Sequence, residues 1–144
     1  MLTTNNLLPM KDASVTLQIP DPLYQRLVNT AQAVGRSLED IMVHALTVGS
    51  PPDWTDAPEE FQTDLARLDR LDNDTLWQIA QSHQSSANME RYNQLLEKNQ
   101  EEELTQNEYF ELEKLRYEAD LFMLKKAQAT VLLRWRGERF SINS

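Results

Sequence analysis

Apolar and polar residues alternate in one short stretch near the start of the chain. The polar positions are Ser14, Thr16 and Gln18, and the apolar positions between them are Val15, Leu17 and Ile19. A period of two predicts a β-strand with one apolar and one polar face, which Pro20 ends because it has no N–H to donate. No second strand-like run lies nearby in the sequence, so a lone strand would keep two unpaired edges. We therefore expect it to pair with the same strand of a second copy.

Two amphipathic helices are predicted directly after the strand. Asp21-Pro22 is typical of an N-cap followed by proline at the first helical position, and Gly35 supplies the residue that ends this helix. Ser37 is predicted to cap the second helix, with Asp40 three residues later as a weaker form of the capping box. Gly49 ends it, so the unit of one strand and two helices is complete by about residue 50.

This order of elements is similar to that of a known family. The run Val-Thr-Leu-Gln-Ile-Pro at residues 15–20, the Gly-Arg-Ser turn at 35–37 and Ala-Leu at 45–46 resemble the ribbon-helix-helix proteins of the Arc, MetJ and CopG type. The resemblance covers residues 13–49. It implies that two chains pair their strands antiparallel and that the resulting ribbon enters the major groove of DNA.

The resemblance also implies roles for individual residues. The polar face of the ribbon would contact base edges, for which glutamine and hydroxyl side chains have suitable hydrogen-bonding groups. Phosphate would be held at the start of the second helix and by the cation nearest the strand. The implied base contacts are Ser14, Thr16 and Gln18; the phosphate contacts are Lys11, Ser37 and Leu38; the shared dimer core is Val15, Leu17, Ile19, Leu27, Ile41 and Leu46.

The charge of the chain limits how it could bind DNA. Three cations and four anions give residues 1–50 a net charge of −1, and the rest of the chain carries −8 of the total of −9. DNA-binding domains usually concentrate positive charge. We therefore expect a modest affinity per dimer that salt weakens steeply.

A Pro-rich stretch at residues 51–58 predicts a linker, and the residues after it predict a helical domain over 59–140. The stretches Asp72-Asn73-Asp74 and Ser85-Ser86 are expected to begin two helices, and the capping box from Thr105 to Glu108 begins a third, which is predicted to run to about Trp135. The fold class is therefore mainly α, with a ribbon-helix-helix domain over residues 13–50.

The segment from residue 95 to residue 115 is similar to a helical hairpin of cyanobacterial regulatory proteins, a resemblance that implies no function. Its turn, at residues 99–103, contains no glycine, so the sequence leaves open whether the chain bends or continues as one helix. Acidic residues dominate the start of the last helix and basic residues its end, an arrangement that agrees with the helix dipole and suits antiparallel self-pairing.

Arginine and aromatic residues alternate from Arg134 to Phe140, as they do in nucleic-acid stacking surfaces. A helix end whose arginines complement the dipole is the favoured interpretation.

The chain contains no cysteine and neither histidine has a partner at a catalytic spacing, so we expect no enzyme activity, no metal and no cofactor. No apolar run is long enough for a signal peptide or a membrane span, which predicts a cytoplasmic protein without a membrane partner.

Two functions remain open. The first is a homodimeric, sequence-specific transcriptional repressor, with an antitoxin-like role, a toxin partner and association into tetramers left open. The second is an interaction or scaffold protein that uses the ribbon-helix-helix only to dimerise and binds a protein partner through its acidic helices.

Overall fold

The structure is a computed structural model that describes residues 12–138, and the chain divides into two compact units that meet between Ser50 and Pro51. Both units are helical in the described range. The first contains α1 (Asp21–Val34) and α2 (Leu38–Val48). The second contains α3 (Glu59–Ala66), a short 3₁₀ helix (Arg67–Arg70), α4 (Asn73–Ala80), α5 (Ser86–Gln100) and α6 (Gln106–Trp135).

Helices α1 and α2 form a hairpin around a left-handed glycine. Gly35 has φ 69°, and the next N–H, that of Arg36, donates to the Ala31 carbonyl at 3.0 Å. This hydrogen bond ends α1. Glycine suits position 35 because a side chain there would strain the left-handed backbone. Ser37 caps α2 as predicted, its hydroxyl accepting from the Asp40 N–H at 3.0 Å.

The start of α1 differs from the prediction by one residue. Pro20, not Asp21, is the N-cap residue, and no side chain caps the helix. The Pro20 carbonyl already accepts the first helical bond, from the Tyr24 N–H at 3.0 Å. Asp21 therefore lies in the first turn, where its charge favours the helix dipole without closing a capping bond.

The predicted ribbon strand is not present as a strand. Residues 12–20 form neither a helix nor a ladder with any other described part of the chain. A β-strand needs a hydrogen-bonded neighbour, and the expected neighbour is a second chain. The segment therefore stands before α1 with its alternating pattern but without a partner strand.

The core of the second unit lies where α6 packs against α3, the 3₁₀ helix and α4. Residues 51–58 belong to this packing, since Trp54 and Ala57 rest on the core and the Gln128 side chain donates to the Pro52 carbonyl at 2.9 Å. The buried members of the core are Phe61, Leu65, Leu68, Leu76, Ala80, Ala129, Leu132 and Leu133.

The chain bends between α5 and α6, which answers the question that the sequence left open. Glu102 takes the left-handed conformation, φ 56°, that glycine would otherwise supply. The Glu103 N–H then donates to the Lys98 carbonyl at 2.9 Å. Thr105 and Glu108 form the complete capping box that begins α6, and α5 and α6 make a helical hairpin. In the described range, no helix is long and apolar enough to cross a membrane.

Candidate nucleic-acid interface

The residues predicted to read bases lie in the segment before α1. Ser14, Thr16 and Gln18 are all exposed. Their apolar neighbours Val15 and Leu17 are exposed as well, to 76% and 63%, while Ile19 is half-buried. Both faces of the segment are therefore largely open to solvent in the single chain.

The predicted dimer core is divided between buried and exposed positions. Ile41 is 7% exposed and Leu27 is half-buried. Leu46 is 65% exposed, and its neighbours on α2, Val43 and Val48, are 58% and 71% exposed. Among residues 12–50, the buried hydrophobic residues are Ala31 and Ile41.

The first unit leaves much of its apolar surface exposed, so a single copy gains little free energy from apolar burial when it folds. Burial of apolar surface contributes about 25 cal/mol per Å², so a partner that covered Val15, Leu17 and Leu46 would add several kcal/mol. In the first unit, exposed large apolar side chains lie on residues 12–20, on α1 and on α2.

The predicted phosphate site at the start of α2 is partly occupied by the helix itself. Ser37 accepts from the Asp40 N–H, and the Ser37 carbonyl accepts from the Ile41 N–H at 3.2 Å. Among the described residues, no protein acceptor satisfies the N–H groups of Leu38 and Glu39. A phosphate oxygen would suit these two donors, which lie at the positive end of the helix dipole.

Side chains of both charges lie near the start of α2, and they would have opposite effects on a bound phosphate. Glu39 and Asp40 lie in the first turn of α2 and would repel a phosphate. Arg36, exposed in the turn just before the cap, would attract it. Arg36 was not among the predicted phosphate contacts, although its position directly before the N-cap makes it a candidate. Lys11, the other predicted cation, lies outside the described residues.

Charged side chains of α5 pair with charged side chains of α6 and stabilise the hairpin that the two helices form. Arg91 makes a bidentate contact with Glu111, at 2.8 Å from Nε and 2.7 Å from Nη2. Lys98 Nζ lies 2.6 Å from Glu108, whose carboxylate also accepts from the Thr105 N–H. The hydrogen bond from Lys98 and then that from Thr105 lower the pKa of Glu108, so this carboxylate stays ionised while it holds the hairpin closed.

The basic end of α6 has a structural contact that the sequence did not reveal. Arg136 donates to the carbonyls of Leu71 and Asp69, at 2.8 and 3.1 Å, and to the Asn73 side chain at 2.9 Å. It therefore fastens the end of α6 to the start of α4 and does not form part of a free stacking surface. Arg139 and Phe140, which completed the predicted pattern, lie outside the described residues.

Within residues 12–138, no group of three or more histidine and acidic side chains is placed to hold a metal ion. No family model, no curated protein and no solved structure matches this chain. The functional interpretation rests on the residues themselves.

Proposed function

We propose that the protein is a homodimeric, sequence-specific DNA-binding regulator of the ribbon-helix-helix type, acting as a transcriptional repressor. Residues 13–20 of two chains pair antiparallel and place Ser14, Thr16 and Gln18 in the major groove. The observation that carries this proposal is the pair of exposed side chains Val15 and Leu17 directly before a helix, a left-handed glycine turn and a second capped helix.

Pairing of residues 13–20 from two chains would give each face of the resulting ribbon a neighbour. The apolar face of the ribbon would cover exposed side chains of α2, among them Leu46, and its polar face would remain open for DNA. Glutamine can form a bidentate pair with adenine, and the threonine and serine hydroxyls can bond to bases. Arg36 and the N–H groups at the start of α2 would fix the dimer on the phosphates, contacts that position the protein without reading sequence.

The low positive charge of the first unit predicts how this binding behaves. With a net charge of −1 in residues 1–50, each dimer neutralises few phosphates, so binding is weak without specific base contacts. Specificity then depends on the ribbon side chains more than on charge.

Fluorescence anisotropy of labelled DNA from upstream of the protein's own gene tests the proposal. We expect Thr16→Ala/Gln18→Ala to abolish preference for that DNA over a scrambled duplex, because each good base contact is worth about 1–3 kcal/mol. Thr30→Ala/Gln32→Ala, which removes the same two side-chain types from α1, is the matched control and should bind as the wild type does. Equal binding of both duplexes by the wild type at low salt contradicts the proposal.

A scaffold role is the second candidate, and the charge distribution favours it. The second unit carries −8 and has its own core, so it could bind a partner while the first unit serves only to dimerise. A chain that dimerises through Leu17 but shows no DNA binding at low salt would support this function.

A further inference from the structure

One side of α3 and of the 3₁₀ helix borders a groove in the second unit that carries two arginines and a tryptophan. The groove has a volume of about 420 Å³, within the range of about 300–1,000 Å³ that is typical of small-molecule sites. Its lining residues are Trp54, Gln62, Thr63, Ala66, Arg67 and Arg70. Phe61, Leu65 and Leu68, on the opposite side of the same two helices, are buried in the core. Burial of that side turns the side with the two arginines toward the groove.

The 3₁₀ helix sets the two arginines close together. Arg67 and Arg70 are its first and last residues, and side chains three positions apart eclipse one another in such a helix. The core and α6 hold this helix in place, since Leu68 is 2% exposed and Arg136 donates to the Asp69 carbonyl at 3.1 Å. Both guanidinium groups therefore extend from one edge of a well-anchored element.

Neither arginine has a strong partner within the described residues. Arg67 lies 3.4 Å from Asp64 and its side chain is 72% exposed, and exposed pairs of this kind contribute little. Arg70 is exposed, and its side chain makes no hydrogen bond or ion pair with the described part of the chain. Asp64 and Asp69 are the acidic residues nearest in sequence, and neither lines the groove. The groove therefore offers two positive charges to a bound anion.

Hydrogen bonds hold Trp54 beside α3. The Asp53 carboxylate accepts from the N–H and the hydroxyl of Thr55, at 3.1 and 3.0 Å, and the Ala57 N–H donates to the Trp54 carbonyl at 3.0 Å. Gln62, itself a lining residue, donates to the Ala57 carbonyl at 2.8 Å and ties this turn to α3. Trp54 is half-buried on the core and also lines the groove, so its position is fixed before any ligand binds.

We propose that this groove binds a nucleoside monophosphate, with the base against Trp54 and the phosphate held by Arg67 and Arg70. Guanidinium groups pair with phosphate through parallel hydrogen bonds, and an aromatic side chain can stack on any nucleobase. The net charge of −8 on the second unit favours a small ligand, because it would repel the many phosphates of a nucleic-acid strand. A single phosphate group carries at most about two negative charges, which two arginines can balance.

Isothermal titration calorimetry of the full-length protein tests the site, with AMP and UMP as probes. We expect the two nucleotides to bind within about tenfold of each other, since stacking tolerates every base. Adenosine and inorganic phosphate each contain half of the ligand, and each should bind at least about tenfold more weakly than AMP, because each uses one side of the groove. Absence of binding by both nucleotides overturns the proposal, and so does equal affinity for AMP and inorganic phosphate.

Substitutions assign the two halves of the ligand. Arg70→Gln should weaken AMP binding at least about fivefold and leave adenosine binding unchanged, because it removes a contact to phosphate. Arg26→Gln, the same substitution at an exposed position of α1, is the matched control and should bind AMP as the wild type does. Trp54→Leu should weaken both AMP and adenosine at least about fivefold. Circular dichroism shows whether that variant folds, and Arg70→Gln, which changes an exposed side chain, decides the result if it does not.

A single DNA strand of about ten nucleotides tests the other class of occupant. We expect it to bind no more tightly than AMP at low salt. Tighter binding that Arg70→Gln weakens would overturn the small ligand in favour of a nucleic-acid strand, and equal AMP affinity of Arg70→Gln and the wild type would overturn the site. The inference does not rest on the proposed function, because every lining residue lies in the second unit and AMP binding is measured without duplex DNA.

Discussion

At the scale of single residues, the start of α2 combines groups that attract a phosphate with groups that repel it. Glu39→Gln removes one repelling charge and keeps the side-chain length. We expect DNA affinity to rise about two- to fivefold, since a charge at a helix terminus contributes about 0.3–1 kcal/mol. Anisotropy titration at low salt measures the change. Glu60→Gln, an equivalent change in the first turn of α3, is the control and should leave affinity unaltered.

Glu108 is the other residue whose charge has a defined consequence. Its pKa is lowered by the hydrogen bond from Lys98 and by that from the Thr105 N–H. A lowered pKa in the folded state contributes stability that is present above the unfolded value and is lost as the pH falls through the folded value. An unperturbed glutamate has a pKa of about 4.3, so the contribution is complete at neutral pH and declines below that value.

We therefore expect Glu108→Gln to lower the denaturation midpoint of the second unit at pH 7. The difference from the wild type should shrink as the pH falls below about 4.3, because the unfolded wild-type chain then takes up a proton at Glu108 and, at still lower pH, the folded chain does too. Tryptophan fluorescence during urea titration at several pH values measures it. Glu97→Gln, at an exposed position on α5, is the control. A difference that stays constant down to the lowest pH would contradict the role of this charge.

At the scale of elements, the turn between α5 and α6 carries a strained residue. Glu102 adopts φ 56°, a conformation that costs a residue with a Cβ about 1 kcal/mol or more relative to glycine. We expect Glu102→Gly to stabilise the second unit by up to about 1 kcal/mol, offset in part by the greater freedom of glycine in the unfolded chain. Glu103→Gly, one residue later, lacks this strain to relieve and should destabilise. Urea denaturation of both variants compares them, and equal effects would count against the strain.

The same elements show how far the sequence could predict this fold. The caps at Ser37 and Thr105 were predicted and confirmed, and the predicted helix starts at residues 72–74 and 85–86 were confirmed with Asp72 and Ser85 as the N-caps, because a cap depends on residues three positions apart. The end of α6 near Trp135 was confirmed as well. The apolar spacing of Phe61, Leu65, Leu68 and Leu71 suits one helix, yet α3 ends at Ala66 and a 3₁₀ helix follows over Arg67–Arg70.

Long-range contacts account for what the sequence did not reveal. Arg136 reaches carbonyls more than 60 positions away, and the Pro52 carbonyl accepts from Gln128 across a similar interval. No local sequence pattern predicts either contact. From the sequence, the run from Arg134 to Phe140 was therefore interpreted as a helix end whose arginines complement the dipole, and residues 51–58 as a linker. For the candidate site, the sequence predicted that Val15, Leu17 and Leu46 would lie in a core shared by two chains, and all three are exposed in the single chain. The balance of Arg36 against Glu39 became visible only with the start of α2 in place.

At the scale of the whole molecule, the two units should respond separately to a change in one of them. All three tryptophans, at positions 54, 77 and 135, lie in the second unit, so tryptophan fluorescence reports on that unit alone. Circular dichroism reports on the helices of both. The two signals together therefore distinguish loss of α1 and α2 from loss of the larger core.

We expect Leu17→Asp to destabilise the first unit without moving the tryptophan transition. The substitution places a charge on the apolar face of the ribbon, and an unpaired charge in a dimer core is strongly unfavourable. Because dimer stability depends on protein concentration, the loss of helix signal in the wild type should shift to higher temperature as concentration rises, and the variant should lose that shift. Gln18→Asp, the same charge on the polar face, should keep it. The contrary result is that Leu17→Asp does not change, at any protein concentration, the temperature at which the helix signal of the first unit is lost. Val15 and Leu17 are then exposed in the folded protein, and the ribbon does not form.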